Sequence, residues 1–503
     1  MRLSSVVPLL IGIVCAFFSG SLAAEPASAP VGSTTPIEAT TVSPLPEVAS
    51  DASQSDAEMA SRTATTLSST VAAPDSENAT NSMGNLHLEE IQRLALKQNH
   101  SVISSRQQVE IAEGQVKQAR SVSSTRLTGK MTQTRLDDVG AINIGGRTIA
   151  MGKKDTQRAY VEMAQPLFLG GKDRATISAA RLGRSAAQAG HFFTRQQVLR
   201  QATMSWLAWL FASEVEKVAR KDLDLANEHH RLIEARLRQD QASKFELLRA
   251  DVRLAQARSK YRQEQNNSDL ARLELLRVLA LPADLMIGTQ DRLSMQEFEP
   301  NPIRDASEAV FLREDLRIKR LEAEISRQGL RAARGEKQPT LNLFGQVGSE
   351  DPSSKSGLGG LQRKSYWNAG LALEVPLADG GQRRGKIQEA TARLALAENA
   401  LQEALEKTHI EIKQALLNLE TAQEVVRSQE EALKQAEEAL RLANVKYTNG
   451  MFTQVEMFDA ENAFLNTNLQ YLQAVYAHHQ ARVAYLLATG QLGRNLLAPA
   501  SAL

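Results

Sequence analysis

The sequence predicts a mainly α-helical chain with a small β part, built as two copies of a strand pair followed by a long antiparallel helical hairpin. Three observations carry this prediction. The chain of 503 residues repeats itself, two stretches of it hold a helical apolar period without a break, and short alternating segments precede each of those stretches. The repeat is plainest at Gln165–Arg174, QPLFLGGKDR, and Val375–Arg384, VPLADGGQRR, which stand 210 residues apart (Pro166 to Pro376). The same offset places Phe245 on Val455, Glu246 on Glu456, Leu248 on Phe458 and Ala250 on Ala460. Upstream the offset becomes 214, with Leu127 on Leu341. A period this long is no solenoid repeat, whose units run about 20–50 residues. It is a duplicated half-molecule, suited to a ring or a tube.

The first element is a secretory signal at 1–24, with Arg2 at the positive end, an apolar stretch from Val6 to Phe18 and small residues Ser21-Leu22-Ala23-Ala24 for cleavage. The only cysteine, Cys15, lies inside it and follows Ile13-Val14 rather than small residues, so acylation is not expected. Without that segment the chain has no cysteine, which excludes disulfides, thiol catalysis and thiolate metal sites. Residues 25–84 are rich in Ala, Ser, Thr and Pro and hold no aromatic residue, the composition of a disordered linker. The first repeat is assigned to 85–290, the second to 300–492 and a tail to 493–503.

Each repeat carries two candidate strands. In Ser365–Leu377 the residues Trp367, Ala369, Leu371, Leu373, Val375 and Leu377 share one face, and Tyr366, Asn368, Gly370, Ala372 and Glu374 share the other. One apolar face and one small or polar face suit a strand with lipid outside and water inside. In Ala159–Leu169, Val161, Met163 and Leu167 fall on the apolar face and Tyr160 and Glu162 opposite. The partner strands are 127–137, with Thr128, Lys130, Thr132 and Thr134 on the water face, and 341–347, with Asn342, Phe344 and Gln346 there. Residues 139–156 and 348–364 read as the connecting loops. Four strands cannot close a membrane barrel, which needs at least eight, so strands that meet lipid require the chain to oligomerise.

The helices follow. From Gly385 to Tyr447 no Pro or Gly interrupts the pattern, and Ile387, Ala390, Leu394, Ala397 and Leu401 step by three and four. After a phase shift near Leu405 the seam continues as Ile412, Ala415, Leu419, Ala422, Val426, Leu433, Ala436, Leu440 and Ala443. Such a helix is on the order of 90 Å long. Thr448-Asn449-Gly450 ends it, and a second helix runs from about 453 to 488. The first repeat has helices over about 173–238 and 243–279, with Gln239-Asp240-Gln241 at the turn.

Several functions are excluded. The net charge is +1 and no basic patch with interleaved aromatics appears, which argues against nucleic acid. Gly170-Gly171-Lys172 lacks phosphate-loop spacing, and no nucleophile elbow or zinc-protease motif is present. No cofactor, metal site or enzymatic activity is expected. His229-His230 and His478-His479 read as exposed helical histidines, because neighbours on a helix point about 100° apart and rarely share an ion.

The duplication, the strand-pair-then-helix order, the P-L-x-x-G-G-x-x-R junctions and the stretch YTNGMFTQVEMFDAENAFL (Tyr447–Leu465) together resemble the TolC family of outer-membrane efflux proteins over Leu86–Gly493. The resemblance implies a homotrimer in the outer membrane of a Gram-negative bacterium, with a shared 12-stranded β-barrel continued by a trimeric α-helical barrel through the periplasm. Leu281–Pro302 and the segment after Gly490 would form a belt around its middle. Strand–helix junctions fall at Pro166, Gly170, Gly171, Pro376, Gly380 and Gly381. The resemblance places a periplasmic entrance at Glu456, Asp459, Tyr447, Phe452 and Glu246, and adaptor docking at the hairpin tips, Asp240, Gln241, Asn449, Gly450 and Met451. Phe452 stands where the family has a gating arginine, and Lys244 and Arg249 are the candidate substitutes. The function implied is an exit duct for a tripartite efflux pump or type I secretion system, partnered by a periplasmic adaptor, an inner-membrane transporter and outer-membrane lipid. The alternative is a structural coiled-coil protein of the periplasm or envelope.

Overall fold

The computed structural model describes residues 86–138, 141–150, 154–289, 291–350 and 364–494. The chain divides into two units, Met1–Pro74 and Asp75–Leu503, and every described residue belongs to the second. The expected signal peptide, the linker, most of the 348–364 loop and the tail beyond 494 lie outside the described residues.

The first repeat runs α1 (Leu88–Gln98), α2 (His100–Ser121), β1 (Arg126–Arg135), β2 (Ala141–Ile144), β3 (Arg147–Ala150), β4 (Asp155–Phe168), α3 (Lys172–Arg238) and α4 (Lys244–Leu279). The second runs α5 (Pro302–Leu312), α6 (Glu314–Gly335), β5 (Thr340–Glu350), β6 (Lys364–Glu374), α7 (Gln382–Thr448) and α8 (Gln454–Ala488). The copies match closely: α1 and α5 have 11 residues, α2 and α6 have 22, and α3 and α7 have 67. Local chemistry sets the breaks. Asn99 accepts from Ser101 N at 2.9 Å and starts α2, while Asn301 accepts from Arg304 N ahead of Pro302 at the first turn of α5.

At 67 residues α3 and α7 are each about 100 Å long. On α7 the buried residues are Thr408, Ile412, Ala415, Leu419, Val426 and Ala443, all but Thr408 from the expected seam. The upper seam, Ile387 to Leu401, is only half-buried within one chain. The main core lies around the middle of the molecule. There Ile91 and Ala95 of α1, Val198–Val215 of α3, Leu275–Leu279 of α4 and Leu472–Val483 of α8 enclose Ile287, Leu293 and Leu492. No described helix is long and apolar enough to cross a membrane.

The four main strands form one antiparallel sheet in the order β1-β4-β5-β6, so the β4–β5 ladder joins the repeats. Direct cross-strand partners share a face. Lys130, Tyr160 and Gly348 align on one side, with Glu162, Gln346 and Asn368 beside them. Val161, Val347 and Trp367, and Leu341 with Leu373, align on the other. The first face carries the ion pairs Lys130–Glu162 (3.3 Å) and Arg158–Glu350 (2.5 Å). The second leaves Trp367 80% and Leu373 66% exposed.

Three details differ from the sequence reading. A bulge between Pro166 and Phe168 sets Phe168, not Leu167, opposite Leu341, since Pro166 has no N–H for the ladder. β6 ends at Glu374, so Val375 and Leu377 lie past the strand rather than on its apolar face. The 139–156 connection is also no plain loop. β2 and β3 pair as a hairpin around Gly145 and Gly146, both at positive φ (58° and 82°), the turn that matches strand twist.

Candidate functional site

The two helical hairpins end in matching turns. Gln241 N donates to Arg236 O and Met451 N to Lys446 O, each at 2.8 Å, and Asp240 N and Gly450 N each donate three residues back. This pair of hydrogen bonds satisfies the last helical carbonyls and needs a left-handed residue. Gly450 supplies it at φ 73° and Asp240 at φ 56°, a residue type that tolerates that region. The tip residues Asp240, Gln241, Asn449, Gly450 and Met451 are all exposed.

The next helix of each hairpin starts with a capping box. Ser243 N donates to Glu246 at 3.0 Å while Glu246 N donates to Ser243 Oγ at 3.3 Å. Thr453 donates to the Glu456 carboxylate from its N (2.7 Å) and Oγ1 (2.8 Å), and Glu456 N returns a bond at 3.3 Å. These bonds hold the Glu456 carboxyl below its ordinary range. Both glutamates therefore have a structural task, which the S/T-x-x-E spacing at Ser243 and Thr453 signals in the sequence. Glu456 and Asp459 are exposed on the first turns of α8.

Just behind the tips the two hairpins are joined. Arg236 of α3 places Nη1 3.5 Å from Tyr447 Oη of α7, with its guanidinium carbon 5.4 Å from the ring centroid. Burial raises the Tyr447 hydroxyl, against the pull of Arg236. His229, two turns before Arg236, has its ring 4.8 Å from Phe458 of α8 and 5.9 Å from Tyr447. Asp222 of α3 takes a bidentate pair from Arg253 of α4, at 2.5 and 3.3 Å. Glu461 of α8 is buried nearby, and burial raises its carboxyl despite Arg253.

Several sequence expectations change here. Arg249 lies over Phe245 of its own helix, 6.0 Å from the ring, while Arg236 is the cation at Tyr447. Phe452 packs under Lys446, whose Nζ is 4.8 Å from the ring centroid. The histidine pairs are not simply exposed: His229 is 9% and His478 0% exposed, because adjacent positions point apart and one of each pair faces inward. His230 and His479 instead reach Asp251 (2.8 Å) and Ser294 O (2.9 Å). Among the described residues no group of three or more His, Cys, Asp or Glu is placed to hold a metal ion.

At the other end, Gly170, Gly171, Gly380 and Gly381 all take positive φ where the sheet passes into α3 and α7. Glu336, at the end of α6, accepts from Lys172 at 2.6 Å and Lys386 at 2.8 Å, tying the starts of both long helices together. Neither Gly335 nor Glu336 stood out in the sequence, since their partners are 164 and 50 residues away for Glu336.

A sheet with one exposed apolar face, standing on helices of about 100 Å, defines a channel-tunnel architecture. Known proteins agree. Residues 306–491 match the family model described as outer membrane efflux protein. The outer membrane efflux protein BepC of Brucella suis is 22% identical over 404 residues, covering 80% of this chain and 85% of BepC. The cobalt-zinc-cadmium resistance protein CzcC of Cupriavidus metallidurans is 24% identical over 408 residues, 79% of this chain and 88% of CzcC. The crystal structure of the Campylobacter jejuni CmeC outer membrane channel superposes with a TM-score of 0.70 at 19% identity, over 86% of this chain and 96% of CmeC. The chain thus has the fold of outer-membrane efflux channels and matches their family model over 306–491.

Proposed function

We propose that three copies of this chain close a twelve-stranded barrel and a continuous helical tube, forming a passive exit duct from the periplasmic side to the exterior. The observation that carries this reading is the sheet. Its edges, β1 and β6, have no partner strand among the described residues, and its apolar face is exposed. Hydrocarbon does not tolerate unpaired backbone groups, and four strands are too few to close alone. Pairing of β1 with β6 of the next copy removes every edge.

In this reading Glu456 and Asp459 gather at the entrance, Arg236–Tyr447 holds the tip, and the Asp240, Gln241, Asn449, Gly450 and Met451 turns dock a periplasmic adaptor. An inner-membrane transporter supplies the energy and the cargo. The native mass in detergent tests assembly: a trimer is expected, and a stable monomer retained in the membrane overturns the reading. A protein released from membranes by salt washing would instead be an envelope coiled-coil scaffold.

A further inference from the structure

His229 is the least accommodated group at the tip. It is 9% exposed, and among the described residues neither ring nitrogen has a hydrogen-bond partner. A neutral imidazole survives this at modest cost, but an imidazolium carries two N–H donors and a charge with nowhere to place them. Its neighbour His230 shows the alternative, with Nε2 2.8 Å from Asp251.

The charges around His229 do not favour a proton on it. On its own helix stand Arg236 and, two turns back, Asp222, which is committed to Arg253 of α4. From α4, Glu246 also faces the Tyr447 side of the cluster. On α7 the facing group is the Tyr447 hydroxyl, and Lys446 lies over Phe452. On α8 the carboxyl is Glu461, itself buried beside Arg253 and Asp222, where burial makes it hold a proton more readily than an ordinary carboxyl. Falling pH therefore neutralises the α8 carboxylate and removes a negative charge from the cluster.

We propose that His229 is an acid-operated release for the periplasmic tip: the neutral ring packs α3 against α7 and α8, and a proton on it parts the two hairpins. This rests on the duct reading only for its consequence, a wider entrance. Burial first, and Arg236 second, lower His229 from 6.5 to about 4. A closed-state value below the open-state value means that the closed form is fully favoured above about pH 6.5. That preference is lost progressively as pH falls towards 4. Over that interval the closed-to-open ratio falls by up to about two orders of magnitude.

The test uses the full chain in planar bilayers, with acid added only to the side that holds the helical tip. Lowering that side from pH 7 to 4.5 should raise conductance, His229→Phe should abolish the rise, and His230→Gln should keep it. The entrance carboxylates are the same in all three proteins, so the difference belongs to His229. A His229→Phe channel with the unchanged acid response overturns the proposal, as does a response obtained only from the barrel side. If His229→Phe fails to assemble, hydrogen exchange of the unaltered chain decides. Protection over 222–240 and 445–461, corrected for intrinsic rates, should fall between pH 7 and 4.5, and unchanged protection overturns the release. If the chain forms no channel at all, the duct reading fails, while the exchange measurement still tests the latch.

Discussion

Arg236 and Tyr447, 211 positions apart in the sequence, meet where the last turn of α3 passes the last turn of α7, guanidinium over ring. The 3.5 Å Nη1–Oη separation is long for a hydrogen bond, so the ring contact is the larger part of the link. Tyr447→Phe should therefore change channel conductance little, while Arg236→Ala and Tyr447→Ala should raise it. A cation–π contact of this kind contributes about 0.5–2 kcal/mol. Equal conductance in all three variants and the parent would show that the pair does not hold the tip.

The capping role of Glu456 changes how its charge must be tested. Glu456→Ala would remove a cap as well as a charge, whereas Gln at the same position still completes a capping box. Glu456→Gln combined with Asp459→Asn should lower cation preference and block by multivalent cations, with assembly intact. An unchanged reversal potential in a salt gradient would remove both residues from the entrance.

Thr453→Ala is the converse variant. It should lower stability by about 0.5–2 kcal/mol while leaving the Glu456 charge in place. Because the Thr453 bonds lower the Glu456 carboxyl below 4.5, the cap is complete above that pH. Its carboxylate half weakens as pH falls through the lowered value, so the gap between the melting curves of the parent and Thr453→Ala should narrow in strong acid, while the Glu456 N to Thr453 Oγ1 bond keeps it open. Curves that stay equally far apart would assign the Thr453 effect to something other than its bonds to the Glu456 carboxylate.

On the sheet, Leu373 pairs with Leu341 on the bare apolar face, and Ala372 pairs with Asn342 on the face that carries the ion pairs. Leu373→Arg should impair assembly more than Ala372→Arg, with a midplane penalty of about 2–4 kcal/mol. Equal trimer yields would mean that the two faces meet the same medium.

At the sheet–helix junction, a Cβ on Gly170 would stand 2.4 Å from Gly335 O, whereas one on Gly171 meets nothing within 4 Å. Both have positive φ, which costs an L-residue roughly 1–2 kcal/mol. Gly171→Ala should show that strain alone, and Gly170→Ala should melt several degrees lower still, by thermal unfolding in detergent. Identical melting points would mean that α6 shifts away without loss.

Much of the fold was readable because duplication leaves paired marks. The 210-residue offset located α3 on α7 and α4 on α8, and the apolar step of three and four marked Ile412, Ala415 and Leu419. Strand faces were readable through Val161, Met163, Leu371 and Leu373, but the shift at Pro166 was not, because a bulge depends on the partner strand. The inward turn of His229 was half visible: Ala226, His229 and Ile233 step by three and four and all are buried. The meeting of Arg236 with Tyr447, or of Glu336 with Lys172 and Lys386, depends on packing between distant elements and leaves no local pattern.

The two bare sheet edges also have a consequence for inheritance. In the proposed trimer each chain offers β1 to one neighbour and β6 to the other, so a chain damaged on either edge spoils a ring that its intact partners would otherwise close. A cell making damaged and sound chains in equal amounts would assemble wholly sound rings only about one time in eight. Edge-strand lesions such as a proline in the middle of β6 should therefore be dominant, whereas loss of the whole chain should be recessive.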